Sequence, residues 1–365
     1  MKKNIVIIDD SALMRRVLSD IINSDQMFHV VAVAENGKDA LEKMEQIESI
    51  DAIVLDLNMP VMSGVEFLRE LKNRKIEMQV VLVSTLAKEG GKETMEALEL
   101  GALDFVRKPD ALRDCKGEAF KTRLLKMLTV AVQYNSKSTN KEIPVKAVQK
   151  VVKVSKPANL KPKKVHQNTT SHCEKICALA CSTGGPKALQ YVVPFLPANL
   201  DSAVLIVQHM PVGFTASLAS RLNDLSAITV KEAEDGEQIE KGVVYIAKGG
   251  CHLQVVKAQG GGHRIALTKE PPKDGLRPCA NYMYHSLEES DYEKILCVVL
   301  TGMGQDGTEG ITHLSEKKQL HIISQNEKTC TVYGMPRAIA ETGLVDEVLP
   351  LQEIAGAIQR QMGVQ

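Results

Sequence analysis

The sequence predicts an α/β protein: an N-terminal (βα)5 doubly wound domain over residues 1–133, a basic flexible linker over 134–172, and a C-terminal doubly wound parallel α/β sheet with a β-hairpin insertion over 173–365. Three observations predict it. Short apolar runs alternate with helix-period stretches in both halves, which is the pattern of βαβ units. At roughly 100 to 200 residues per domain, a chain of 365 residues has room for two buried cores. Between them, Tyr134 to His172 holds nine Lys, one acidic residue and Pro144, Pro157 and Pro162, the composition of a solvated tether.

In the first half, Ile5–Ile8, Val30–Ala34, Ile53–Leu55, Val80–Val83 and Phe105–Val106 read as strands. Leu13, Val17, Leu18, Ile21 and Ile22 recur at helical spacing, as do Phe120, Leu124, Leu125, Leu128 and Val132. The linker's Val-Lys alternation around Val148–Val154 could pair as an edge strand, but a flexible tether is the simpler reading. After Cys173 come strand Ile176–Cys181 with a helix after Pro186, then strand Ala203–Gln208 with a helix around Phe214–Asn223. Strands Val243–Ala247, His252–Val256 and Arg264–Thr268 follow with no helix between them, so they suggest the hairpin insertion. Ile295–Leu300, a helix near Thr308–Lys317, strand His321–Ser324 and a helix from Pro336 complete the second sheet.

Composition narrows the function. The 45 basic and 45 acidic residues cancel, but by segment the net charges are −3, +8 and −5. Aromatics make up 4 % and Trp is absent, so a base-stacking platform is not expected, and neither is a nucleic-acid partner. No apolar run approaches the ~18 residues needed to span a bilayer, so no membrane insertion is expected. The opening run Ile5–Ile8 is closed by two aspartates and reads as a strand, not an export signal. With eight Cys lacking paired spacing, a cytoplasmic location is expected.

Chemistry concentrates at predicted strand ends, where doubly wound sheets hold their sites. Asp9 and Asp10 end the first strand, Asp56 the third, Ser84 and Thr85 the fourth, and Lys108 follows the fifth. Three carboxylates gathered at one edge repel one another and call for a cation; hard oxygen ligands suit Mg²⁺. A carboxylate beside Mg²⁺ and Lys108 is placed to attack a phosphoryl group. Asp56, alone at the central strand's end, is the best candidate. This half resembles the response-regulator receiver domain through Ile-Ile-Asp-Asp-Ser, Val-Leu-Asp-Leu-Asn-Met-Pro-Val-Met-Ser-Gly, Val-Ser-Thr and Gly-Ala-Leu-Asp-Phe-Val-Arg-Lys-Pro. The resemblance implies phosphorylation of Asp56 by a chemotaxis histidine kinase, with Asp9, Asp10 and Asp56 holding Mg²⁺. It also implies that Ser84 is the switch hydroxyl, Phe105 the switch aromatic and Lys108 the phosphate contact.

In the second half, Ser182-Thr-Gly-Gly-Pro follows a strand and opens a helix. A Ser on such a turn can expose its Oγ beside a backbone N–H, which is half of an oxyanion hole. The same glycines could equally cradle a phosphate. His209 and Asp306 follow two further strands, so the three side chains could meet as nucleophile, base and base-orienter. The order Ser–His–Asp differs from that of the α/β-hydrolases, so a different fold with convergent chemistry is expected.

Residues 176–360 resemble the catalytic domain of the chemotaxis protein-glutamate methylesterase (CheB) family. The resemblance is carried by Ser182-Thr-Gly-Gly-Pro, Val-Gln-His209-Met-Pro-Val-Gly-Phe-Thr, Thr-Gly-Met-Gly-Gln-Asp306-Gly and Val-Tyr-Gly-Met-Pro-Arg. It implies that Ser182, His209 and Asp306 are catalytic, with Thr183 and Met303 at the substrate oxygen through backbone N–H groups. It implies hydrolysis of glutamate γ-methyl esters on methylated chemoreceptors without a cofactor for that reaction, and deamidation of receptor glutamines. A monomer is expected. The chain departs from the family at Ala180-Cys181 before the nucleophile, at Lys248, and at Cys279-Ala-Asn281. These departures motivate the competing reading, a phospho-dependent binding module with an inactive esterase fold; the intact triad speaks against it. Cys173, Cys177 and Cys181 are too far apart along a strand to share a zinc. Gly260–Gly262 reads as a hairpin turn.

Overall fold

The computed structural model describes residues 2–84, 90–109, 117–138 and 173–364. The linker, its Val148–Val154 segment and Thr85 lie outside the described residues, apart from the linker's first five. In the first half, β1 (Lys3–Ile8), β2 (Phe28–Ala34), β3 (Ala52–Leu55), β4 (Val80–Ser84) and β5 (Asp104–Arg107) form a parallel sheet in the order β2-β1-β3-β4-β5. The strands alternate with α1 (Ala12–Asn23), α2 (Gly37–Met44), α3 (Gly64–Asn73), α4 (Gly90–Leu100) and α5 (Glu118–Ser138). β3 and β4 are buried along their whole length, which is why their sequences are unbroken apolar runs and not alternations. In α1 the buried stripe is Met14, Val17, Leu18, Ile21 and Ile22. Leu13, expected on that stripe, is instead 49 % exposed, and Met14 takes the buried place one residue on.

The second sheet has seven parallel strands in the order β14-β13-β12-β6-β7-β9-β8. They are β6 (Lys175–Cys181), β7 (Ala203–Gln208), β8 (Thr229–Glu232), β9 (Val243–Ile246), β12 (Lys294–Val299), β13 (Leu320–Gln325) and β14 (Glu347–Leu349). The helices are α6 (Gly185–Gln190), α7 (Phe214–Leu225), α8 (Ala280–Ser286), α9 (Thr308–Lys317), α10 (Met335–Ala340) and α11 (Leu351–Met362). The insertion is smaller than the sequence suggests. Only β10 (His252–Lys257) and β11 (His263–Thr268) form the antiparallel hairpin, while β9 joins the main sheet between β7 and β8. The hairpin turns at Gly261 and Gly262, both at positive φ. No helix among the described residues is long and apolar enough to cross a membrane.

The two halves pack together. The α4 helix lies on α6 and α7, so closely that a Cβ on Gly91 would come within 2.2 Å of Ser217 Oγ. Glu99 of α4 takes a two-pronged bond from Arg221 of α7, at 2.5 and 2.8 Å, and a third from Gln190 at 3.4 Å. Phe105 of β5 packs on Phe214 of α7 with ring centroids 4.4 Å apart.

Candidate active site

Both sheets reverse strand order beside their first strand, and both candidate sites sit at the carboxyl ends there. In the first sheet β1 and β3 are neighbours, which brings Asp9 and Asp56 together. Lys108 Nζ bridges them at 2.7 and 2.8 Å. Asp9, Asp56 and Lys108 are buried, while Asp10 is exposed. Burial pushes the Asp56 carboxyl up, against the opposing pull of Lys108. Oxygens of Asp9, Asp10 and Asp56 lie within 4.8 Å of one another. One buried lysine for three acids leaves this pocket short of positive charge, and its donors are all hard oxygens, so the residues fit Mg²⁺. Ser84 is fully buried, and its carbonyl accepts from Lys108 N at 2.8 Å.

In the second sheet β6 lies between β7 and β12. Ser182 follows β6, His209 follows β7, and the Thr301–Asp306 loop follows β12, so three distant segments converge. Ser182 is fixed by its N–H to Thr301 O at 3.0 Å and by Gly185 N to its own carbonyl at 2.7 Å. The turn demands glycine: Gly184 has φ +76, and a Cβ on Gly185 would sit 1.9 Å from Gln208 Oε1. A Cβ on Gly302 would reach 2.9 Å from Ser182 Cβ, so that glycine lets the β12 loop approach Ser182.

His209 Nε2 bonds to Asp306 Oδ2 at 2.7 Å, with both side chains under 10 % exposed. The carboxylate sits at the start of α8. It accepts from Ala280 N at 2.6 Å, Asn281 N at 3.1 Å and Cys279 Sγ at 3.0 Å. Burial pushes Asp306 up, but the His209 bond and charge, with Ala280 N–H and Cys279, outweigh it and hold the carboxyl at about 2. An ionised Asp306 must accept, so Nε2 carries the proton and Nδ1 keeps the lone pair. This ring is turned the opposite way from the familiar serine-protease arrangement, where Nδ1 faces the acid. No hydrogen bond joins Ser182 Oγ to the ring in this structure. Thr183 is buried and Met303 lines the cleft; the backbone N–H of each donates to no acceptor among the described residues.

Several supports escaped the sequence reading. Gln208, buried beneath the site, donates to the carbonyls of Ser182 at 3.0 Å and His209 at 3.3 Å. Thr301 Oγ1 ties the Thr183 carbonyl to the β12 loop at 3.0 Å. The departures from the family pattern also acquire structural roles. Cys279 supplies an S–H donor to Asp306. Asn281 Oδ1 accepts from Gly307 N at 3.0 Å and Gly310 N at 2.8 Å, capping α9. Lys248 is exposed, and Ala180 is packed in the core. Only the Gln-His dipeptide hinted at Gln208, a polar residue ending an otherwise apolar strand.

The site opens into a cleft of about 910 Å³ lined by Ser182, Thr183, His209, Met303 and Asp306 on one side. The other side comes from the first half: Asp104, Phe105 and α5 residues including Arg123 and Lys126. The Asp104 carboxylate faces Thr183 across this cleft. The N-terminal half thus roofs the candidate nucleophile.

Comparison with known proteins follows this division. The family model for the response regulator receiver domain matches residues 5–117, and that for CheB methylesterase matches residues 177–358. The protein-glutamate methylesterase/protein-glutamine glutaminase 1 of Syntrophomonas wolfei is 40 % identical over 358 residues, covering 97 % of both chains. The protein-glutamate methylesterase/protein-glutamine glutaminase of Clostridium acetobutylicum is 40 % identical over 359 residues, covering 98 % of this chain and 97 % of the relative. The crystal structure of the Thermotoga maritima CheB methylesterase catalytic domain is 41 % identical, with a TM-score of 0.49, and covers 51 % of this chain and 97 % of that one.

Proposed function

The chain belongs to the CheB methylesterase family, with a receiver domain attached, and from that premise we propose that Ser182, His209 and Asp306 perform its ester hydrolysis beneath a receiver roof. The activity is that of a protein-glutamate methylesterase and protein-glutamine glutaminase under receiver control. The observation that carries the residue assignment is the convergence of Ser182, the His209–Asp306 pair and two unspent N–H groups in one cleft. We assign residues 1–133 to the receiver, 134–172 to the linker and 173–365 to the esterase.

Ser182 Oγ attacks the ester carbonyl while His209 Nδ1 takes its proton. The imidazolium is stabilised by Asp306, which stays ionised. Charge developing on the carbonyl oxygen meets the Thr183 and Met303 N–H groups. Collapse breaks the C–O bond, His209 returns the proton and methanol leaves. Water, deprotonated by His209, then cleaves the acyl-Ser182 to give glutamate and regenerates the hydroxyl. With a glutamine substrate the leaving group is ammonia and the steps are otherwise the same.

In the receiver, Asp56 accepts the phosphoryl group from a histidine kinase. Mg²⁺ held by Asp9, Asp10 and Asp56 would supply the charge that offsets the transferring oxygens, and Lys108 would pair the product phosphate. Ser84 and Phe105 carry the change outward. Phe105 reaches the esterase at Phe214, so a shift of β5 loosens the roof. The substrates are methylated receptor helices, which need the cleft uncovered.

The test is methanol release from methylated receptor membranes. Ser182→Ala is expected to cost on the order of 10⁴-fold or more. A rate equal to wild type would remove Ser182 from the mechanism.

A further inference from the structure

Outside the cleft, α8 and α9 bring together His285, Glu309 and His313. Their ligating atoms lie within 4.8 Å of one another. Glu309 and His313 are four residues apart on α9 and share one face. His285 Nε2 stands 4.0 Å from Glu309 Oε1, and the His285 and His313 rings are 5.1 Å apart between centroids. The orientation of His285 is set from behind. Its Nδ1 donates to Glu288 Oε1 at 2.9 Å, and the other Glu288 oxygen is held by Lys317. A neutral His285 therefore carries its proton on Nδ1 and turns the Nε2 lone pair toward Glu309 and His313. A carboxylate behind a histidine, fixing the tautomer and raising the basicity of the outer nitrogen, is the arrangement that supports metal-ligating histidines.

We propose that His285, Glu309 and His313 form a binding site for a borderline divalent transition metal, of which Zn²⁺ is the representative, with Glu288 as positioning residue. Imidazole and carboxylate donors in a two-to-one ratio suit such an ion better than Mg²⁺, which takes oxygens. Tetrahedral Zn²⁺ with bonds of ~2.0–2.1 Å needs ligand atoms about 3.4 Å apart. The three side chains must therefore close by about 1 Å, a distance half-exposed rotamers cover without moving the helices. A fourth position is left toward solvent. The site has a built-in competitor: Lys273 Nζ holds Glu309 Oε2 at 2.5 Å. Metal binding must weaken that ion pair, which anchors the residue next to the 274–278 rim of the catalytic cleft. It also ties α8 to α9, the helices that begin beside Asp306.

The experiment uses the untagged full chain at pH 7.5 with excess Mg²⁺ to occupy the receiver carboxylates. Zn²⁺ is titrated against a competing chromophoric chelator, and thermal unfolding is followed in parallel. Wild type is expected to bind one Zn²⁺ that is lost, at least tenfold in affinity, in His285→Ala and in His313→Ala. Glu288→Gln should weaken binding by about 10–100-fold while leaving the metal-free melting temperature close to wild type. Lys273→Met should tighten binding, because it frees Glu309. His321→Ala, beside a separate acidic pair, is the control and should bind as wild type does. Zn²⁺ should raise the melting temperature of wild type and not of His313→Ala. Equal affinity in wild type, His285→Ala and His313→Ala would overturn the proposal, as would a loss in His321→Ala alone.

Discussion

At the residue scale, the site depends on side chains that do not react. Asp306 is useful only while it is ionised and aimed at Nε2, and the first turn of α8 secures both conditions. Its carboxyl lies below the ordinary value, so its stabilising contribution is complete above pH ~4 and fades as pH falls through about 2. Activity changes above pH 4 thus belong to other groups. Asn281 does the complementary work, since its one oxygen holds the Gly307 and Gly310 N–H groups behind Asp306. Asn281→Ala is expected to lower stability by ~1–2 kcal/mol, as loss of a helix cap does. It should also lower kcat about tenfold or more with little change in KM, because Asp306 loses its position and not its chemistry. Urea unfolding and methanol release check the two halves of that statement. The gathering of Ser182, His209 and Asp306 at one cleft was legible from strand-end placement. Asn281 was legible only as a departure from the family, because the groups it caps lie 26 and 29 residues away. Gln208 is similar: a buried amide's purpose is set by carbonyls that only the folded sheet brings near it. The ring orientation of His209 was not legible at all, since spacing says nothing about which nitrogen faces the acid.

At the element scale, the central strands announce themselves and the edges do not. β6, β7 and β12 are buried nearly throughout, so their apolar runs are long enough to read. β8 (Thr-Val-Lys-Glu) and β14 (Glu-Val-Leu) are short and half exposed, and edge strands of that kind carry no periodic signal. β9 was grouped with the hairpin because no helix separates it from β10, yet its partners are β7 and β8. The same scale holds the contact between halves. The α4 helix meets α7 through the Glu99–Arg221 fork, whose paired geometry exceeds an ordinary surface ion pair in strength and direction. Arg221→Ala is expected to raise basal methanol release several-fold without phosphodonor and to shrink the further gain on adding it. A variant as silent as wild type would show that α4 does not hold the roof. Asp56→Asn is the converse: wild-type basal activity with no response to phosphodonor, measured with a small-molecule phosphodonor in the same assay.

At the scale of the whole molecule, the two resemblances identify two units but say nothing about how they face each other. The zero net charge, resolved into −3, +8 and −5, does not say so either. The structure makes the relation chemical. Asp104, one residue before Phe105, lines the esterase cleft facing Thr183, with Arg123 as its neighbouring positive charge and Phe105 N–H at 2.8 Å. Desolvation pushes its carboxyl up to about 6, against the Phe105 N–H, Arg123 and Thr183. In an uncovered cleft the group returns toward its ordinary value near 3.8. The closed form therefore binds more protons than the open one between pH ~4 and 6. Closure gains stability as pH falls through that window and loses it as pH rises back through about 6, above which the contribution is constant. Basal activity of the unphosphorylated chain should consequently fall as acidification through that window favours closure. Asp104→Asn keeps a polar side chain of the same size but has no charge to bury, so it serves as the reference. The wild-type to Asp104→Asn ratio of methanol release is expected to exceed one at pH 8 and to approach one below about pH 4. Effects of pH on His209 and on the receptor cancel in the ratio. A ratio independent of pH would mean that Asp104 is not sealed by closure and that the roof is held by Glu99–Arg221 and Phe105–Phe214 without it.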